Sequence, residues 1–232
     1  MCHNILVFTP YRKCSGFFVF LLFILYISEK LKFNIMRTLT QEQTYNEWVK
    51  FYTVFEKLGL TKYYDMDKLK DELTTSPCAV SEEMGTAYKG ALIVHINMTL
   101  ALAQRTAKTI SGTFDNLDEE SLLKIIAIMH LSKRLVYVEN DNEWEIKNRG
   151  LNFKFAKGIE GCLKGGERSA LEALNNGVKL TPTEFEAITC LDDDVESSKK
   201  TFMSIYTTIV RQANELAYAI EKERYNKIKN SK

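Results

Sequence analysis

The chain of 232 residues is long enough to fill one good-sized core and short for two. Apolar residues make up 45% and charged residues 26%, which excludes a disordered or fibrous chain. A formal net charge of +1 supplies neither the basic surplus of a nucleic-acid binder nor an acidic tail. The five cysteines, at positions 2, 14, 78, 162 and 190, show no C-x-x-C spacing, and an odd count argues against a disulfide framework. A reducing, cytoplasmic setting fits that usage.

Residues 1–35 read as an apolar N-terminal extension. The run "FFVFLLFILYI" (residues 17–27) is shorter than the ~20 apolar residues that span a bilayer. It follows Arg12 and Lys13 in the manner of a signal peptide, but no small-x-small cleavage site comes after it. Three explanations stand: a short membrane anchor, an export signal, or an over-extended start upstream of Met36, the last being favoured. A membrane partner is implied only if this extension is genuine and retained. The body, residues 36–232, reads as one mostly helical domain.

Its elements follow in order. Trp48, Phe51, Tyr52, Phe55 and Leu58 form one apolar stripe at helical spacing, with Gly59 as a stop. "DMDKLKDELTTSPCAV" predicts a short charged helix that ends at the Ser76–Pro77 step. The next long helix aligns Leu92, His95, Met98, Thr99 and Leu102 on one face. Asp118 can cap a following helix whose inner stripe is Leu123, Ile126, Ala127 and His130. "RLVYVENDNEWEIKN" then alternates like two short strands around an Asn-Asp-Asn turn, predicting a β-hairpin insertion. "GGERSALEALNNG" and "TPTEFEAITCL" predict two short helices, the second opened by a Thr181/Glu184 capping box with Pro182 in its first turn. A last helix, about residues 198–227, carries Phe202, Ile205, Ile209, Ala213, Leu216 and Ile220 on its inner face and a charged, solvated end.

His95 and His130 thus face inward from neighbouring helices, an arrangement that builds metal sites as well as ordinary cores. The run "SPCAVSEEMGTAYKGALIVHINMTLAL", then "ESLLKIIAIMHLSKRLVYVENDNEWEI", then "GGERSALEALNNGVKLTPTEFEAI", then "ANELAYAIEKER", in this order over residues 76–224, resembles the HD-domain superfamily of metal-dependent phosphohydrolases. The likeness is to the branch found in bacteria and their phages, and it implies an HD-like helical bundle. The resemblance places a first metal ligand at His95 in "GALIVH", a His-Asp pair at His130 and Leu131, and a closing Asp at Asn214 in "AN". Relatives often add a histidine before "GERS" and another after "E-x-x-AI"; Gly165 and the run "TCLDDD" stand there. Of six positions that could hold metal, His95 and His130 keep their histidines.

Those departures change the chemistry. Leucine has no lone pair for a cation, and an amide lacks the negative charge that hard divalent ions favour. The resemblance therefore implies a divalent metal (Mn, Ni, Zn or Mg) only if a remnant site of His95, His130 and Asn214 still works. A carboxylate from the triple-Asp run, Asp192 first, is a candidate for restoring it, although a solvated loop is the favoured account of that run. If a nucleotide or other phosphoester still binds, Arg168 and Lys164 are the candidate phosphate contacts. The "GCLKGG" segment lacks Walker spacing. No residue is assigned a catalytic role. Three readings follow: a non-hydrolytic pseudoenzyme that binds a ligand, protein partner or second copy; an active phosphohydrolase with a remodelled site; or a phage virion or assembly protein.

Overall fold

A computed structural model describes residues 39–113, 117–159, 163–190 and 203–230. The expectations for the N-terminal extension, Cys162, Asp192 and its neighbours, and Phe202 lie outside the described residues. Among the described residues are eight α-helices and one two-stranded sheet, so the chain is mostly α.

Helix α1 (Gln41–Lys57) opens on a capping box of Thr40 and Gln43, which satisfies backbone donors left over at the first turn. It buries Glu47, Trp48, Phe51 and Phe55, leaving Tyr52 and Leu58 of the expected stripe half-buried. Gly59, at φ 64°, turns the chain after it. Helix α2 (Met66–Thr75) buries Leu69 and Leu73 and stops at Ser76, ahead of Pro77. Helix α3 (Ala91–Ile110) packs on α1 and α2, and α4 (Glu119–Met129) lies against it. Asp118 accepts from the backbone N–H groups of Glu120 and Ser121, as the sequence predicts. Seven of the eleven residues of α4 are buried, because this helix is apolar nearly all round and so sits at the centre. His130 is its C-cap, and a short 3-10 turn (Leu131–Leu135) follows directly.

The hairpin expectation needs correcting. Strand β1 (Tyr137–Glu139) pairs antiparallel with β2 (Phe153–Phe155), not with "EWEIKN". That segment is helix α5 (Glu143–Arg149), because Asn142 caps it by accepting from the N–H groups of Trp144 and Glu145. Alternation over so few residues suits a strand and a single helical face equally well, and the cap decides.

Helices α6 (Gly165–Asn175) and α7 (Pro182–Thr189) follow, α7 with the predicted Thr181/Glu184 box. Gly166 is where they meet most closely: a Cβ there would lie 2.1 Å from the Ile188 carbonyl oxygen. Helix α8 (Ile205–Asn230) runs back along α3 and forms its most extensive packing contact. Small residues Ala213 and Ala217 on its buried face allow the close approach. No described helix is long and apolar enough to cross a membrane.

Candidate functional site

Helices α3, α4 and α8 bring His95, His130 and Asn214 to one point inside the bundle. The two imidazoles are fully buried, with ring centroids 5.1 Å apart. Each turns its Nε2 to the same atom, Asn214 Oδ1, at 2.9 Å. Behind His95, the Nδ1–H donates to Glu221 Oε2 at 2.8 Å, and Glu221 is itself only 2% exposed. The Tyr218 ring lies on His95 with centroids 4.1 Å apart. Asn214, Tyr218 and Glu221 share one face of α8 by their spacing of four and three residues.

The inward-facing atoms of this cluster pair with one another. An amide oxygen only accepts, so with Oδ1 at the centre both rings present Nε2–H to it. With the amide turned over, its NH2 group donates once to each ring instead, which serves both rings equally. Either way two buried polar atoms are left without a partner, His130 Nδ1 and Glu221 Oε1.

A carboxylate behind a histidine is the usual support for a metal-ligating imidazole, since it fixes the ring and its tautomer. The rest of the set does not fit a hydrolytic metal centre. Its inward-facing atoms are two imidazole nitrogens and one neutral amide, and the nearby carboxylate engages Nδ1 rather than facing the centre. Among the described residues, no group of three or more His, Cys, Asp and Glu side chains is placed to hold a metal ion. Leu131 is fully buried and its backbone carbonyl accepts from Arg134 Nη1 at 2.6 Å.

Burial holds His130 well below the ordinary histidine range, with the positive charge of Lys133 and the neighbouring His95 adding to the effect and the Asn214 hydrogen bond opposing it. In the unfolded chain His130 titrates near 6.5, so above that pH it is neutral in both states and its contribution to stability is complete. As the pH falls below that value, the unfolded chain takes up a proton that the fold refuses, and stability is lost. The urea midpoint of the native protein should therefore fall more steeply between about pH 7 and pH 5 than that of His130→Gln. Parallel slopes in the two proteins would contradict this assignment.

The two residues expected to contact a phosphate lie at the N-terminal end of α6. Arg168 donates through Nε to the Leu163 carbonyl at 3.0 Å and through Nη2 to the Ile159 carbonyl. Lys164 is exposed at the N-cap of α6, where its backbone N–H donates to Glu167 Oε2 at 2.9 Å. The "GERS" run has structural duties as well: Ser169 Oγ accepts from the Ser132 backbone N–H at 3.0 Å and locks the turn after His130. Arg134 joins three elements, reaching Glu72 at 2.6 Å and Glu172 at 2.8 Å.

Glu221 is the residue that sequence reasoning missed. The end of the last helix was expected to be solvated, yet Glu221 is buried against His95. Its spacing of seven from Asn214 was the available signal, since that interval returns to the same helical face. Comparisons of the chain with protein-family models, with curated proteins and with solved structures find no significant match.

Proposed function

We propose that the chain is a divergent HD-like domain that has lost metal-dependent hydrolysis and is retained to bind a ligand or protein partner. The observation that carries this reading is the shared bond of both Nε2 atoms to the Asn214 amide. Metal-assisted hydrolysis needs ligands that converge on a cation and leave a position for water. In this cluster the converging atoms satisfy one another, and the rings are sealed from solvent. The order of the sequence landmarks supports the HD relationship. Exposed apolar side chains around the small sheet support a binding role: Leu135, Val138, Trp144 and Phe155 are all at least 41% exposed.

Asn214→Asp tests the reading with one isosteric change. It places a carboxylate between the two Nε2 atoms and supplies the charge that the native set lacks. Titration calorimetry of the full chain with Zn and Ni should show the variant binding at least about tenfold more tightly than the native protein, a gain of roughly 1.4 kcal/mol. Equal affinity in both would mean that the missing charge is not what disables the site.

A further inference from the structure

Helix α5 is set apart from every other described α-helix, because none of its residues is buried. Its seven residues are too few to hold a helix in water, where about 12–15 are marginal. It is fixed at its two ends instead. Asn142 caps the start, and Gly150, at φ 62°, closes the end by donating its N–H to the Ile146 carbonyl at 3.1 Å. The Gly150 carbonyl in turn accepts from the Glu82 N–H at 3.0 Å, and Asn140 Nδ2 donates to Glu145 Oε2 at 3.0 Å. A helix preset in this way presents its whole surface, and it carries Trp144, at 63% exposed the most open of the large apolar side chains described. Tryptophan is among the residues most enriched at the energetic centres of protein interfaces.

The charge pattern of the helix selects its partner. At spacings of three and four residues, Glu143, Trp144, Lys147 and Asn148 share one side, and all four are exposed. Glu143 opens this face and Lys147 lies one turn further on, so acid stands at one end and base at the other. Two copies of the face laid antiparallel about a two-fold axis bring Glu143 of each beside Lys147 of the other. Each Trp144 then meets Lys147 of the other copy, whose stem packs on the ring and whose ammonium faces the π cloud. Laid parallel, the same faces would set like charges together. We infer that α5 is a two-fold contact through which this chain associates with a second copy of itself. The inference rests on the binding role proposed above, not on the loss of hydrolysis, and it names the protein partner.

The test is sedimentation velocity of the full chain over a range of concentrations, with tryptophan fluorescence read on the same samples. A contact built on one short helix belongs to the small class of interface, below about 1,200 Å², so monomer–dimer exchange is expected in the micromolar range. Trp48 is buried, so the emission open to acrylamide comes from Trp144, and its quenching should fall as the dimer forms. Trp144→Ala should weaken association at least about tenfold. Glu143→Lys makes the face basic at both ends and Lys147→Glu makes it acidic at both, so each alone should be monomeric. An equimolar mixture of those two variants should restore the dimer. Because α5 buries nothing, all three variants should keep a near-native urea midpoint. A native chain that stays monomeric, with Trp144 open to acrylamide or shielded within its own chain, would overturn the inference. Association that persists in both charge variants, or a mixture that fails to associate, would overturn it as well. Turnover of a phosphoester by the dimer would overturn the non-hydrolytic reading alone and leave the two-fold contact in place.

Discussion

His95→Ala is expected to destabilise the protein by about 3–5 kcal/mol, because it leaves the buried Glu221 carboxylate without its hydrogen-bond donor and opens a cavity. The change removes the donor that holds Glu221 Oε2 at 2.8 Å, while the other carboxylate oxygen is already unpartnered and buried. It also opens a cavity under the Tyr218 ring and strips Asn214 of one of its two imidazoles. Glu221→Gln is the informative control. It keeps the shape and an acceptor for Nδ1–H while removing the charge, so its cost should be nearer about 1 kcal/mol. Urea unfolding of the three proteins at neutral pH measures both numbers. Equal costs for the two variants would show that the charge of Glu221 is immaterial and that His95 is only filling space.

Asn214→Leu is the second large effect, expected at about 2–5 kcal/mol. Leucine is close to asparagine in size but offers neither acceptor nor donor, so two buried imidazole nitrogens lose their shared partner together. Each orphaned nitrogen belongs to a fully buried ring, and such a group costs about 1–3 kcal/mol. Asn214→Asp keeps the acceptor and separates hydrogen bonding from packing: it should fold with nearly native stability near neutral pH. A leucine variant as stable as the native protein would mean that the amide is dispensable and that the two histidines are satisfied by packing alone.

Much of the helical frame was legible in the residues because capping and periodicity act locally. Asp118 and the Thr181/Glu184 box mark the starts of α4 and α7, and the Ser76–Pro77 step marks the end of α2. The second strand was misplaced for an equally local reason: "EWEIKN" alternates, and only the cap at Asn142 shows that it is a helix. The convergence of His95, His130 and Asn214 was reached through the resemblance to HD domains, since no spacing rule connects three different helices. The inner face of α8 was read too far toward its apolar residues. Leu216 and Ile220 are half-buried, while Thr207, Ala217 and Glu221 are buried. A hydrophobic stripe locates an inward face only where that face is apolar, and here it meets a histidine.

On the proposed function, the His95–Asn214–His130 cluster holds no catalytic metal. The most direct test is to titrate the full-length native chain with Mn, Ni and Zn alongside a His95→Ala/His130→Ala control, and to assay the same samples for hydrolysis of nucleotides and simple phosphoesters. The account predicts no metal binding that the double variant loses, and no turnover with any metal. Metal-dependent hydrolysis that disappears in His130→Ala would contradict it.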